Sequence, residues 1–565
     1  MSKMNVLGKN IPRIDGISKV TGQTKYLPDM KFPGMLFGKI LRSTQAHALI
    51  KEIDCSRALK LPGVRAVITA KDVPQTKYSF VPELADKEIL CSKKVRFIGD
   101  EVAAVAADTE DIAEQALKLI HVKYEPLPPI FDPEEAIKNN SILVNEEKGS
   151  NIAVEVSKSF GDVEKGFADS DFVFEDRFTT TRQAHCCMET RGCIAQYEAD
   201  GKVTVWAPTQ LQHRWRKQLA DALGIDRGKI RIINTPIGGA FGSKVVLDTK
   251  IPITVMLSKA TKRPVKMTNS REEEFTTSRT RYPFIIYLKT GVTREGRIIA
   301  KQARVIADNG AYCDEGSAVL SFAGVFFSVL YDAQHTSFHG SCIYTNKQPC
   351  TAFRGFGNPQ LHYAFATHLD RIANKLGLDP MEIRMRNQNK KGHALATNAQ
   401  INVCTFKECI EEAAKLSDWD MKRKIYNNLN KESKIKRGIG MAAMLHTGFT
   451  TRFFGFNATD TFIKLSEDGI VSVITPVIEL GQGGSTAVAQ IVAEGLGAKP
   501  EHIRVINTDT DIIPYDLGVY GSRHTFICGH AALDAALKAK EELLTSAASM
   551  LGCKVEEIDI ANGNV

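Results

Sequence analysis

Apolar residues return every three or four positions at Leu361, Ala364, Phe365, Leu369, Ile372 and Leu376. That spacing predicts an amphipathic helix with Asn358 as its N-cap, Pro359 as its first helical residue and Gly377 as its stop. The same reasoning predicts helices over 211–223, ended by Gly224, and over 487–496, ended by Gly497. Asp108 can cap a further helix whose apolar face is Ile112, Ala113, Ala116, Leu117 and Ile120. Short apolar runs at 35–41, 64–69, 95–106 and 203–206 read as strands. The pairs 284–288 with 298–306 and 462–465 with 471–474 read as hairpins, each around a polar turn containing glycine.

These elements divide the chain. Residues 1–137 read as a compact domain of mixed strands and helices, leaving through Pro126, Pro128 and Pro129 into a polar linker at 138–151. Residues 152–420 form a first large mixed unit and 421–565 a second, with an exposed lysine- and asparagine-rich connection at 426–437. The expected class is α+β and multidomain.

Four stretches break the periodicity with glycine. The first, 351–360, holds Arg354, Gly355, Phe356 and Gly357 and runs straight into a predicted helix. The second, 238–244, contains Gly239, Ala240, Phe241 and Gly242, and follows a strand-like run at 230–233. Gln482 and Gly483 lie in the third, ahead of the helix at 487–496. Gly521, Ser522, Arg523 and Thr525 form the fourth, ahead of a helix starting near Gly529 or His530. Helix N-termini present unpaired N–H groups and attract anions, and an arginine fork suits phosphate or metal-oxo oxygens. Four such junctions point to one large polyanionic ligand held from several sides. None has P-loop or dinucleotide spacing, because Lys244 lacks a preceding glycine and Gln360 stands where a third glycine belongs.

Composition excludes several classes. The 565 residues are 43% hydrophobic and 24% charged, ordinary for a globular protein, and the net charge of +8 is spread without a basic run, so nucleic acid is not an expected partner. The longest uncharged stretch, 316–331, is too short to span a bilayer, and the first eleven residues are polar, so a cytoplasmic location is expected. The twelve cysteines, among them Cys186, Cys187 and Cys193, Cys342 and Cys350, and Cys404 and Cys409, form no C-x-x-C pair. Buried reduced thiols account for them, and any iron–sulfur centres belong to other chains.

The order of motifs resembles the molybdopterin-binding large subunit of the xanthine oxidase, or molybdenum hydroxylase, family. The motifs are Lys19-Val20-Thr21-Gly22, the run 96–102, Met188-Glu189, Thr209-Gln210, Gly239 to Gly242, Ala352 to Gly357, Gly481-Gln482-Gly483 and Gly521-Ser522-Arg523. The resemblance implies a hammerhead-like domain followed by two molybdopterin-binding domains, the second incomplete. It implies molybdenum on molybdopterin, in the cytosine dinucleotide form, with [2Fe-2S] and FAD on partner subunits. By the resemblance, Gln210 meets an oxo group, Phe241 and Gly242 approach the apical ligand, Arg354 lies beside the metal and Gln482 touches the pterin. Gly521 to Thr525 line the metal and the dinucleotide, and Phe356 lies on the substrate side. Without the motif context Phe241 and Phe356 read as core aromatics, Gln210 as a turn residue, and His185 and His446 as structural histidines.

Three departures bear on chemistry. Val245 stands where xanthine-oxidising members have glutamate, and 320–329 lacks their substrate-gripping arginine, so xanthine is disfavoured and a less polar aromatic expected. The family's catalytic glutamate, in a Gly-x-Gly-Glu context, has no counterpart, since Gly438-Ile439-Gly440 is followed by Met441. The base is therefore expected on the remainder of a split or fragmentary protein, such as a second molybdopterin polypeptide. The implied activity is hydroxylation of an aromatic heterocycle or aldehyde with oxygen from water. Reductive dehydroxylation like that of hydroxybenzoyl-CoA reductase, and a non-catalytic cofactor-binding or assembly role, are the alternatives.

Overall fold

A computed structural model describes residues 4–392, 400–446 and 457–565. Its largest sheet has seven strands in the order Ile230–Asn234, Val203–Ala207, Gly192–Tyr197, Val265–Thr268, Leu36–Arg42, Glu101–Ala107 and Val64–Thr69. The parallel register Leu36 to Val265 joins strands of the N-terminal part to strands of the first large unit. Glu101–Ala107 is buried at every position, because the helix Glu110–Leu119 packs on one face and Lys250–Thr261 on the other. Small alanines let both helices approach this central strand.

The second sheet is built from Ile152–Phe160, His335–Tyr344, Ile298–Gly310, Phe284–Val292 and Phe172–Thr179. The helix Asn358–Leu376 lies on it, and the predicted stripe Leu361, Ala364, Phe365, Leu369 and Ile372 is buried in its core. A third sheet, Phe462–Leu465, Val471–Ile474 and Ile503–Ile506, is covered by Gly484–Leu496 and the long helix His524–Leu551.

Several boundaries differ from the sequence reading for local reasons. Gly357, not Asn358, is the N-cap of Asn358–Leu376, with φ of 91°. Thr109 rather than Asp108 caps its helix, its hydroxyl accepting from Ile112 N at 3.2 Å. The run 95–106 divides into Lys94–Val95 and Glu101–Ala107, because Gly99 turns between them at φ 111°. Residues 426–432 continue the exposed helix Trp419–Glu432 rather than forming a connection. The last helix begins at His524, five residues ahead of Gly529. No described helix is long and apolar enough to cross a membrane.

The polar stretch 138–151 is pinned. Asn151 is 3% exposed, accepts from Val144 N at 3.0 Å, and donates to Ala136 O at 3.2 Å and Ile142 O at 2.8 Å. Asn151→Ala leaves the buried Val144 N–H without its acceptor. It should lower stability by about 2–3 kcal/mol in urea unfolding.

Candidate functional site

The four glycine loops, distant in sequence, meet. Gln210 joins two of them through its side-chain amide. Its Oε1 accepts from Gly242 N at 3.0 Å and its Nε2 donates to Val519 O at 2.9 Å. The backbone repeats the tie, since Val519 N donates to Gln210 O at 2.9 Å and Gln210 N to Lys244 O at 3.0 Å. Ile237 and Ala240 of the second loop, Ile478 beside the third and Val519 beside the fourth form one apolar cluster. The first loop joins at Phe241, whose carbonyl accepts from Arg354 N at 2.9 Å.

This approach needs glycine. A side chain at Gly242, where φ is 106°, would place its Cβ 2.6 Å from Ala352 O, and one at Gly518 would place it 2.6 Å from Gln210 O. Phe241, Phe356 and Ser522 take positive φ without being glycine, at 56°, 49° and 54°. Such strain persists only where the surroundings hold it.

Buried charges fix the loops from behind. Lys244 is 1% exposed and pairs at 2.6 Å with Glu189, which also accepts from Gly238 N at 2.9 Å. Glu315 accepts from Thr351 Oγ1 and Ala352 N, both at 2.8 Å, and burial pushes its carboxyl up to about 7. Phe353 lies between His185, stacked at 4.2 Å, and Arg281, whose guanidinium carbon is 3.9 Å from the ring centroid. His185 also bonds Ala352 O at 2.8 Å, and burial pulls its imidazole down to about 3, so it is neutral.

Two expectations about the loops change. The second loop does not run into a helix, since Lys250–Thr261 begins six residues after Lys244. The helix Gly484–Leu496 does follow the third loop, but a carboxylate already lies at its start. Glu479 accepts from Gly481 N at 2.8 Å, Gly483 N at 3.0 Å and Ser485 N at 3.2 Å, so a carboxylate of this chain occupies the place expected for a ligand anion. Gln482 is exposed, and its amide folds back onto Leu480 N and Ile478 O.

Arg523 is also already engaged. It is fully buried, reaches both oxygens of Asp516 at 2.7 and 2.8 Å and donates to Gly518 O at 3.1 Å, so it shapes the fourth loop from within. Val245 is 5% exposed in the core, where its carbonyl accepts from Trp215 Nε1 at 2.8 Å, and its side chain does not face an open site. Gly521, Ser522 and Thr525 remain at least partly exposed. Gly239 has φ of 94° and Gly355 has φ of 94°, both at partly exposed turns of their loops.

Beside the first loop lies an aromatic wall. Phe356 meets Phe322 edge to face at 5.4 Å, Phe322 meets Phe326 at 5.5 Å, and His446 lies 5.6 Å from Phe326. Asn358 Nδ2 holds His446 by donating to its Nδ1 at 2.9 Å, and burial lowers the His446 pKa.

The groups left over describe the ligand. Arg354 is exposed, and among the described residues its guanidinium has no hydrogen-bond or ion-pair partner. Among the described residues both ring nitrogens of the buried His524 lack a hydrogen-bond partner, and burial pulls it down to about 4. The ligand atoms of Asp516, His524 and Cys528 lie within 4.8 Å of one another, but Arg523 Nη1 already contacts both oxygens of the Asp516 carboxylate and its charge opposes a cation there. Orphaned polar groups, an uncommitted arginine and converging glycine backbone fit a large polar, anionic cofactor. Sequence reasoning had no signal for Arg281, Glu315 or Glu479, since none belongs to a glycine loop, while Glu189 and His524 lie in stretches it singled out without giving either side chain a role.

The fold and site define a protein that binds a large anionic cofactor between glycine loops. Residues 21–128 match the aldehyde oxidase and xanthine dehydrogenase a/b hammerhead domain, and residues 144–388 and 412–565 match two molybdopterin cofactor-binding domains. The chain is 33% identical over 565 residues to the xanthine dehydrogenase molybdenum-binding subunit of Escherichia coli O157:H7, covering 98% of this chain and 74% of that protein. It is 36% identical to the nicotinate dehydrogenase large molybdopterin subunit of Eubacterium barkeri, covering 72% of this chain and 95% of that one. Quinoline 2-oxidoreductase from Pseudomonas putida 86 superposes with a TM-score of 0.91 at 28% identity, over 99% of this chain and 74% of that one. The chain therefore belongs to the xanthine oxidase family, as a molybdenum-binding subunit whose cofactor is molybdopterin.

A carboxyl whose folded pKa is raised favours the protonated native state. Its contribution is full below the unfolded value, about 4.3, and is lost as pH rises through about 7. Glu315→Gln keeps the acceptor for Thr351 and Ala352 without the ionisation. It should flatten the pH dependence of stability between those values and stabilise the protein at pH 8 by about 1–3 kcal/mol, read by urea unfolding at pH 5 and pH 8.

Proposed function

We propose that this chain is the cofactor-binding polypeptide of an enzyme that hydroxylates an aromatic heterocycle, or an aldehyde, with oxygen taken from water. The aromatic wall of Phe322, Phe326, Phe356 and His446 beside the uncommitted Arg354 carries this reading. The wall accepts a flat ring by edge and face contact and excludes water. Residues 320–329 add no charge. A purine with several polar edges would leave hydrogen bonds unmade there, which favours a ring with fewer of them.

Bound molybdopterin supplies the redox chemistry and activates water-derived oxygen. Gln210 has one amide hydrogen beyond the one given to Val519 O, and that hydrogen can meet a polar edge of the cofactor. Arg354 offers a fixed positive fork for developing negative charge. Gly239, Ala240, Phe241, Gly242 and Gly355 bring backbone close, while Gln482, Gly483, Gly521, Ser522 and Thr525 present exposed backbone and side chains to the dinucleotide of the cytosine form.

Electrons leave to a [2Fe-2S] subunit and an FAD subunit, in a cytoplasmic assembly. The resemblance gives the catalytic glutamate a Gly-x-Gly-Glu context. Gly438 and Gly440 are open to solvent with nothing within 4 Å of an added Cβ, so they do not form a catalytic turn in this chain.

The purified complex should hold close to one molybdenum per copy of this chain. Arg354→Ala should lose metal or turnover by at least about tenfold while its melting temperature stays within error, since no described partner depends on that side chain. Full metal and full turnover in the variant would remove Arg354 from the site. With oxygen-labelled water, hydroxylation puts label in the product, whereas reductive dehydroxylation of an aromatic acyl-CoA does not. Molybdenum bound without turnover, even beside a polypeptide bearing Gly-x-Gly-Glu, would indicate the assembly role.

A further inference from the structure

The third loop is held by a segment far away in sequence. Arg13 lies 468 and 466 positions from its two contacts there, donating from Nη1 to Gly481 O at 2.8 Å and from Nη2 to Glu479 Oε1 at 2.9 Å. Glu479 is the same carboxylate that gathers the N–H groups of Gly481, Gly483 and Ser485. One guanidinium therefore grips the loop at both ends of its turn, the capping carboxylate and the carbonyl of Gly481. Asp15 orients Arg13, accepting from Nε at 3.0 Å and Nη2 at 3.2 Å, and is itself paired with Lys19.

The grip extends along the helix behind the loop. Ile14 N donates to Thr486 Oγ1 at 3.2 Å, and Gln490 Nε2 donates to Lys9 O at 3.1 Å. Glu494, near the far end of Gly484–Leu496, accepts from Asn5 N at 3.0 Å, Val6 N at 2.6 Å and Leu7 N at 3.1 Å. Val6 packs against the core beneath. The segment 5–15 thus straps this helix from Glu494 back to Glu479.

Among the described residues an added Cβ at Gly481 or Gly483 meets nothing within 4 Å, so neighbouring elements do not hold these two positions by packing. The loop is held by hydrogen bonds to Glu479 and within itself by the Gln482 amide, and Glu479 is in turn gripped by Arg13. We propose that the 5–15 strap is a clamp on the third cofactor loop, with Arg13 a positioning residue that acts through Glu479 to hold Gly481, Gln482 and Gly483 in the conformation that receives molybdopterin. The clamp also ties the approach to the hammerhead domain to the second cofactor domain. A loop ordered in advance spares the entropy of ordering it when the cofactor binds. This inference rests on the third loop being part of the molybdopterin site.

The test compares full-length wild type, Arg13→Ala, Arg13→Lys and Glu494→Gln, each purified in its complex. Hydrogen–deuterium exchange follows the amides of residues 481–485, and molybdenum is counted after gel filtration. Arg13→Ala should speed exchange at 481–485 by about fivefold to tenfold, leave the seven-stranded sheet unchanged, and retain less molybdenum. Arg13→Lys should recover part of both, because an ammonium reaches the carboxylate or the carbonyl without forking both. Glu494→Gln should loosen residues 5–7 without the same loss of metal. Unchanged exchange at 481–485 in Arg13→Ala would overturn the clamp, as would metal loss that merely follows melting temperature across all variants. If wild type binds no molybdopterin, the cofactor reading fails, and the exchange data still decide whether Arg13 orders the loop.

Discussion

The site depends on one buried side-chain amide. Gln210 stands at the end of the strand Val203–Ala207, where the chain turns into the helix Gln212–Leu223, and its two polar ends point in different directions. One end takes the N–H of Gly242 and the other gives to the carbonyl of Val519. An uncharged amide can accept at one atom and donate from another, which a hydroxyl, with its single oxygen, cannot do across the same span. A carboxylate would repel the Val519 carbonyl, and an apolar residue would leave two buried backbone groups unpaired. The segment after the third sheet therefore lies against the first large unit, with Asn234 N donating to Thr508 O at 2.7 Å and Gln212 Nε2 to Asn507 O at 3.0 Å alongside.

Around that tie, most of the charge is already matched within the protein. Glu189 answers Lys244, Asp516 answers Arg523 and Glu479 answers a row of N–H groups. A buried charge without a partner is costly, so these pairs are what permit several glycine loops to approach so closely without collapsing onto one another's dipoles. The consequence is selective. The positive ends of the loops are not left as general anion traps. Among the described residues, the polar capacity that remains around this tie includes Arg354, His524, Arg523 Nη2, the second hydrogen of Gln210 and the exposed fourth loop.

Much of this is legible in the sequence, because periodicity reports local burial. The stripe from Leu361 to Ile372 and the hairpin 462–465 with 471–474 have their predicted places, since one apolar face in each packs on a core. Glycine clusters mark the loops because positive φ and backbone contact exclude most other residues. What the sequence does not disclose is which charges cancel. Glu479 looks like any surface glutamate before a glycine turn, and Arg523 looks as available as Arg354. Only the fold puts Asp516 against one arginine and leaves the other exposed. Val245 follows the same logic: its position after Lys244 suggests a site residue by motif, but Trp215 and the surrounding core decide that it faces inward.

The two arginines also separate two tasks that a single residue would have to compromise between. Arg523 is buried with one terminal nitrogen, Nη1, on both oxygens of a carboxylate, so its position is fixed and most of its charge is matched. It can shape the fourth loop but offers little field to a ligand. Arg354 is held by its backbone, through Phe241 O, while Arg281 Nη2 donates to its carbonyl at 2.9 Å. Among the described residues its guanidinium has no partner. A cation anchored at its main chain and unpaired at its tip keeps its full charge for a ligand. Next to it, the ring of Phe356 is held at positive φ against Phe322, so the apolar wall and the free charge come from residues two apart on one strained turn. That juxtaposition gives a flat substrate an apolar seat while the neighbouring charge stays available to the cofactor.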